Sequence, residues 1–216
     1  MYTYPYAQPD AYRFSLDSIH FAEFLAAHLQ ARPDLQSLRT LDLCAGCGVI
    51  GIELSWYLRD LKKIDFVEVQ EIYTSYFYQN VATVNRPELQ LRWHQLNYDA
   101  LLQIEWANQF HLIVSNPPYF QPNQGMLSPS EFKNRCRFYL DSTFANFILA
   151  MVNALAEGGE AYFLLRSLKQ HGDDVFSTIQ GLLQDTNATA KIITQIRGTD
   201  VVLLEKSSLE LGSVVN

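Results

Sequence analysis

Four consecutive residues, Asn116-Pro117-Pro118-Tyr119, follow the apolar segment 110–115. The two prolines fix φ and remove two backbone donors, so this turn is rigid and its carbonyl oxygens are available as acceptors beside the Asn116 amide oxygen. Two adjacent acceptors can hold both hydrogens of a planar NH2, such as adenine N6 or a carboxamide, and direct its nitrogen lone pair toward an electrophilic methyl group. The tetrapeptide predicts such a site, with Tyr119 stacked on the planar group. A plain turn with a buried aromatic is the alternative.

A second chemical pattern lies upstream, where Gly46 and Gly48 separate an apolar segment at 39–43 from a helical pattern at 49–61. Glycines at such a turn let the backbone approach a ligand closely. About twenty residues later, Glu68 ends the next apolar segment, where a carboxylate can accept both hydroxyls of a ribose. No third glycine stands in the dinucleotide position and no phosphate-loop lysine follows, so we expect a nucleoside cofactor without phosphates. An unliganded tight turn remains the other interpretation.

The three cysteines indicate neither a disulfide framework nor a metal site. Cys44 and Cys47 have the spacing of a zinc or redox pair, but only Cys136 and scattered histidines could complete a set of four ligands. We therefore expect no metal and interpret both as small apolar residues of the turn. The first residues lack a secretory leader and no long apolar stretch occurs, which favours a cytoplasmic protein without a membrane segment.

The elements that position these residues alternate between short apolar runs and amphipathic stretches. This pattern predicts an α/β fold, a doubly wound mixed sheet of seven strands that ends in an antiparallel hairpin. We expect residues 1–35 to form a lead-in and a covering helix and residues 36–216 one compact domain. The predicted helices are 15–31, 49–61, 71–85 and 142–157, and the predicted strands are 39–43, 64–69, 90–95, 110–115, 159–165, 191–196 and 201–205.

A long polar loop at 120–140 follows the tetrapeptide, and loops of this length are usually functional or mobile. The whole chain carries a net charge of −7, so a polyanionic substrate would need a local basic patch. Lys133, Arg135 and Arg137 form such a patch in this loop, where a phosphate backbone could pass. A solvated loop face explains the same three charges.

In these motifs the chain resembles the class I S-adenosylmethionine-dependent methyltransferases with a Rossmann-like fold, and within them the amino-methyltransferases that carry the Asn-Pro-Pro-Tyr motif. More narrowly, it is similar to the bacterial valine-tRNA adenine-N6 methyltransferase family. The segments that carry this likeness are 8–9, 12–17, 67–70 and 115–120. The resemblance implies S-adenosylmethionine as cofactor, a tRNA substrate and methyl transfer to adenine N6.

By the same resemblance, Asp42, Gly46 and Gly48 would lie at the methionine end of the cofactor, and Asp17 at its amino group or in a lid. Asn97 stands where the family usually has an aspartate beside the cofactor adenine, and Cys44 stands where it usually has a glycine.

Other functions share the tetrapeptide. A protein-glutamine methyltransferase of the release-factor type would have a sizeable helical domain before the glycine loop, whereas only one covering helix precedes it here. Methylation of ribosomal-RNA guanine N2 or of DNA adenine also stays open. A non-catalytic methyltransferase-fold binding subunit is the alternative from another class, and the intact Asn116 and Tyr119 argue against it.

Overall fold

The computed structural model describes residues 3–166 and 174–208. Residues 1–2 of the predicted lead-in, and residues 167–173 and 209–216 of the predicted domain, lie outside the described residues. Six α-helices and seven strands occur in these residues: α1 (Leu16–Leu29), β1 (Arg39–Leu43), α2 (Val49–Tyr57), β2 (Lys63–Glu68), α3 (Ile72–Val81), β3 (Gln90–Gln95), β4 (Phe110–Ser115), α4 (Glu131–Arg137), α5 (Phe144–Ala154), β5 (Leu155–Leu165), α6 (Val175–Leu183), β6 (Ala188–Ile196) and β7 (Thr199–Lys206). Two short 3-10 turns connect β3 to β4.

The strands form one sheet in the order β3-β2-β1-β4-β5-β7-β6. The five strands from β3 to β5 are parallel, while β7 runs antiparallel to both β5 and β6. The predicted doubly wound mixed sheet with a terminal hairpin is therefore confirmed. The strand order reverses between β1 and β4, and ligands of open α/β sheets bind at the carboxyl edge beside such a switch.

Helices cover both faces of the sheet, which explains why its central strands are continuous apolar runs rather than alternating ones. Residues of α1, α2 and α3 pack with Leu112 and Val114 of β4 on one face. On the other face, residues of α5 and α6 pack with Phe110 and Ile113 of the same strand. Because α1 shares this core with the strands, the covering helix is held firmly above the carboxyl edge.

Several predicted boundaries were wrong, and at α2 a side chain from a distant segment accompanies the earlier helix end. Helix α2 ends at Tyr57 rather than at 61, and the buried Arg86 guanidinium donates to the carbonyl oxygens of Ser55, Arg59 and Leu61. These bonds give partners to carbonyls at and beyond the end of the helix that have none within it. The sequence predicted a strand that starts at 159. Strand β5 begins at Leu155 instead and passes through a bulge at the glycine pair 158–159.

Two helices were not predicted. Inside the predicted 120–140 loop, α4 begins after Ser130, whose hydroxyl accepts from the backbone N–H of Lys133. Helix α6 begins after Asp174, whose carboxylate accepts from the Ser177 N–H. Across residues 3–166 and 174–208, no helix has both the length and the apolar character needed to cross a bilayer.

Candidate active site at the carboxyl edge of the sheet

The glycine loop and the tetrapeptide meet because β1 and β4 are neighbours in register. Leu43 is paired with Ser115, so the residues that follow them leave the sheet at the same height. Between these two turns and α1 lies a cavity of about 340 Å³. Its wall includes Asp17, Ser18, Cys44, Gly46, Glu68, Val69, Gln70, Tyr73, Leu96, Tyr98, Asn116, Pro117, Pro118, Tyr119, Arg135, Cys136, Arg137, Asp141, Ser142 and Arg166.

Glu68 holds the glycine loop in place. One of its carboxylate oxygens accepts from the Gly46 N–H at 2.9 Å, and the other accepts from the Gln70 N–H at 2.8 Å. Burial raises the pKa of Glu68, while these backbone bonds favour its charged form. A carboxylate has about four lone-pair positions, so two remain to accept hydroxyl groups. Asn80 of α3 fixes the far side of the loop by donating to the Cys47 carbonyl at 3.0 Å.

Asp42 lies beneath the loop, and its side chain is not part of the cavity wall. It is fully buried, and its Oδ2 accepts from the Gly51 N–H at 2.8 Å in α2. Its Oδ1 has no partner among the described residues. Burial, reinforced by the nearby Glu68, raises the pKa of this carboxyl to about 8. A proton on Asp42 near neutral pH avoids an unpaired buried charge.

Asn116 is anchored by the covering helix. Its amide nitrogen donates to the Ser18 hydroxyl at 3.0 Å, so the amide oxygen faces the other way. That oxygen accepts from the Tyr119 hydroxyl at 2.5 Å. Burial raises the pKa of Tyr119, so its phenol remains a neutral donor. Because an amide oxygen has two lone pairs, an incoming amine can bind the Asn116 oxygen beside the Tyr119 hydroxyl or displace that hydroxyl.

The segment after the tetrapeptide folds back onto it. The Arg137 carbonyl accepts from the backbone N–H groups of Tyr119 at 3.1 Å and Phe120 at 3.0 Å. Phe120 and Phe138 also form a parallel bridge. Arg135 binds both oxygens of Asp141, with its Nε at 2.9 and 3.0 Å. The predicted long loop is thus an ordered wall of the cavity.

Six predicted residues or groups of residues converge on this cavity: Asp17, Gly46, Glu68, the tetrapeptide with Tyr119, Arg135 and Arg137. Four others are not part of its wall: Asp42, Gly48, Asn97 and Lys133.

Gly48 has a φ of +85°, and a Cβ there would stand 2.9 Å from the Phe77 ring, so its role in the structure is to start α2. The Asn97 side chain is engaged on both atoms, donating to the Asp141 carbonyl at 2.7 Å and accepting from the Asp99 N–H at 3.0 Å. An adenine contact by Asn97 therefore stays a prediction that this conformation does not display. Asp17 is paired with Arg197 of the terminal hairpin at 2.9 Å.

Sequence reasoning missed several cavity residues. Ser18 belongs to α1, and a serine on a helix gives no signal by itself. Cys136 accepts from the Gln70 amide and shares a hydrogen bond with the Tyr73 hydroxyl, which makes it part of the cavity wall. Among the described residues, no group of three or more histidine, cysteine, aspartate or glutamate side chains could hold a metal ion. Arg166 had an available signal, since it directly follows a parallel strand of the same edge.

The side chains of the cavity fit a nucleoside with a cationic, amino-acid-like tail. Glu68 has acceptor capacity left for a ribose diol, and Asp17 provides a second carboxylate. Val69 and Leu96, which follow β2 and β3, provide apolar contacts for a flat base. The Asn116 oxygen lies at the opposite turn, where a planar amine can meet the tail of that nucleoside.

Comparisons with known proteins show what the chain is similar to. Residues 12–191 match the methyltransferase small domain. The tRNA1(Val) (adenine(37)-N6)-methyltransferase of Erwinia tasmaniensis is 33% identical over 96 residues, which are 42% of this chain and 36% of that protein. The protein of the same name from Serratia proteamaculans is 35% identical over 91 residues, which are 42% of this chain and 34% of its own. These alignments span about a third of the length of the curated relatives.

Similarity to solved structures extends further along the chain. The structure of TrmN from Thermus thermophilus superposes with a TM-score of 0.56 and 18% identity, covering 86% of this chain and 48% of that one. At this identity the likeness is one of fold. It agrees with the Rossmann-like arrangement of the sheet.

Proposed function

The chain belongs to the methyltransferase small domain family, and from this we propose that it transfers the methyl group of S-adenosylmethionine to adenine N6 in tRNA. When bound, S-adenosylmethionine supplies an electrophilic methyl group on a cationic sulfur. Glu68, Asp17 and the Gly46 backbone are the groups that would hold this cofactor. Support for adenine in tRNA comes from the names of the two curated relatives and from the tetrapeptide.

One observation carries the proposal: the Asn116 amide nitrogen is held by Ser18, so its oxygen, which accepts from the Tyr119 hydroxyl and has a second lone pair, is the atom left to bind an amine. Together with a backbone carbonyl of the prolines, this oxygen can accept both hydrogens of an exocyclic NH2. The resulting charge on the amine nitrogen is stabilised where the new bond forms. Tyr119 then stacks against the base once its hydroxyl has left the Asn116 oxygen.

The chain's own residues need not act as a strong base. The amine becomes acidic as its nitrogen gains a bond, so its proton can pass transiently to Asn116 or afterwards to water. None of the described residues in the cavity wall is a histidine. We therefore expect each histidine variant of the described part of the chain to retain activity.

The proposal is tested by incubating the protein with radiolabelled S-adenosylmethionine and either total RNA or total protein. We expect label in the tRNA fraction, and mapping of the modified base should place the methyl on adenine N6. Label in protein alone would replace the tRNA proposal with a glutamine substrate. Label in neither fraction would favour a binding subunit without catalytic activity.

One variant and its matched control then test the role of the Asn116 amide oxygen. Asn116→Ala should reduce turnover by at least about a hundredfold, because it removes one acceptor that acts on the transition state. Calorimetric binding of S-adenosylmethionine should be unchanged. Asn187→Ala, at the start of the terminal hairpin and outside the cavity wall, serves as the control. Loss of cofactor binding together with turnover would contradict the assigned role of Asn116.

A further inference from the structure

Two arginines of the cavity wall have no acidic partner among the described residues. Arg137 ends α4 and Arg166 follows β5, and both lie in the cavity wall. In the part of the chain that the structure describes, neither guanidinium forms an ion pair or a hydrogen bond with a side chain. Arg135, only two residues before Arg137, is instead bound to both oxygens of Asp141. Lys133 of the same loop has no ion pair among the described residues either, but it is not part of the cavity wall, so Arg137 is the loop's unpaired cation at the cavity.

The Phe120 ring brings the two guanidinium groups together. The Arg137 guanidinium carbon lies 5.7 Å from the ring centroid, and that of Arg166 lies 6.0 Å from it. Contact with an aromatic ring occupies the flat face of a guanidinium and leaves its N–H edge free for an anion. The ring thus orders both arginines without neutralising them.

This group is fixed directly beside the tetrapeptide. The carbonyl of Arg137 accepts from the backbone N–H groups of Tyr119 and Phe120. Arg166 also acts on Tyr119 electrostatically, since its positive charge lowers the pKa of the phenol against the larger raising effect of burial. An anion bound by these arginines would accordingly lie next to whatever Tyr119 stacks on.

On the basis of the proposed function, we propose that Arg137 and Arg166 form a clamp for the phosphodiester that flanks the target nucleotide. The chain's net charge of −7 offers no general attraction for RNA, so a local site must provide it. A guanidinium edge matches two phosphate oxygens at once. Paired arginines beside an aromatic ring are typical of sites that bind unstacked bases and their backbone.

The clamp is tested by fluorescence anisotropy with a fluorescein-labelled RNA stem-loop that carries an adenosine in its loop, over a series of salt concentrations. Arg137→Gln and Arg166→Gln should each raise Kd about tenfold. Each should also reduce the slope of log K against log salt by about 0.7, the value for one phosphate on a single strand. Arg92→Gln removes the same charge from an exposed position on β3 and should leave Kd within about twofold.

Two further measurements separate the clamp from simpler explanations. Arg166→Lys keeps the charge and loses the planar edge, so its Kd should fall between those of the wild type and Arg166→Gln. Thermal melting and calorimetric binding of S-adenosylmethionine should match the wild type in every variant. Poly-glutamate of equal charge should bind weakly, and equal losses of RNA and poly-glutamate affinity would overturn a phosphodiester site.

The clamp and the proposed function fail in different ways. If the wild type labels no RNA with radiolabelled methyl groups, the proposed function fails. If the wild type labels RNA but Arg137→Gln and Arg166→Gln bind the stem-loop as tightly as Arg92→Gln does, the clamp alone is refuted.

Discussion

The buried carboxyl of Asp42 should make the stability of the protein depend on pH. Burial raises its pKa from 3.8 to about 8 in the folded state. At a pH below 3.8 the carboxyl is neutral in the folded and unfolded states alike. As the pH rises toward 8, the unfolded chain loses this proton while the folded protein keeps it, so the free energy of unfolding falls. Above about pH 8 the contribution is fully lost.

The size of this effect follows from the two pKa values. Each tenfold difference in proton affinity between the two states corresponds to about 1.4 kcal/mol. From pH 5 to pH 8, Asp42 should therefore lower the free energy of unfolding by at most about 4 kcal/mol. Domains of this size are commonly stable by only about 5–15 kcal/mol, so the slope is measurable.

Asp42→Asn is the perturbation that isolates this group. The amide oxygen can still accept from the Gly51 N–H, but the side chain no longer titrates. We expect urea denaturation at pH 5, 6, 7 and 8 to give the variant a flatter pH profile than the wild type has. Asp10→Asn is the control, because the Asp10 side chain is 94% exposed. A variant that keeps the full wild-type slope would refute the reasoning.

Three other changes test the geometry of the site. Tyr119→Phe should retain kcat within about tenfold, whereas Tyr119→Ala should raise KM for RNA by about ten- to a hundredfold, because only the latter removes the stacking ring. Arg197→Ala should tighten cofactor binding by up to about fivefold in calorimetry, since it frees Asp17 from an exposed ion pair. Gly51→Ala should cost about 1–3 kcal/mol in urea denaturation, because its Cβ would stand 2.6 Å from a buried ring.

The first two of these predictions each have a result that would contradict them, and the third has a control variant. Equal kinetic losses in the two Tyr119 variants would mean that the hydroxyl, not the ring, serves the reaction. Weaker cofactor binding in Arg197→Ala would mean that the ion pair positions Asp17 instead of competing for it. Gly181→Ala, at an open position on α6, is the control for Gly51→Ala and should be neutral or stabilising.

Sequence reasoning predicted the central sheet well because its strands are covered on both faces. The segments 39–43 and 110–115 match the central strands β1 and β4 at both ends. The segment 90–95 also matches β3, but β3 is an edge strand without a buried residue, so burial on both faces does not account for that match. Burial on both faces produces uninterrupted apolar runs, and these runs end where the chain reaches the carboxyl edge. The same edge brought the tetrapeptide and Glu68 to one cavity, although the chemical roles of these residues stay predictions.

Other features depend on contacts between distant segments, which a single sequence does not record. Helix α4 is only seven residues long and mostly polar. It is held by the Asn134 side chain, which accepts from the Ser128 N–H and donates to the Ser128 carbonyl oxygen. The covering helix was predicted, but the bond from Asn116 to Ser18 spans 98 residues of chain. Arg86 bonds the end of α2 from a loop beyond α3. Such long-range side-chain bonds shift boundaries by several residues and decide which atoms face the cavity.

The closure of residues 120–138 onto the tetrapeptide has a consequence for how this fold can diversify. Both ends of the segment are fastened to each other through the Arg137 carbonyl and the bridge between Phe120 and Phe138. The outer part of this segment, around the exposed Met126, can therefore be exchanged or lengthened while the turn at 116–119 keeps its shape. Changes in this outer part of the segment can therefore alter which molecule is methylated without altering the residues that would hold the cofactor.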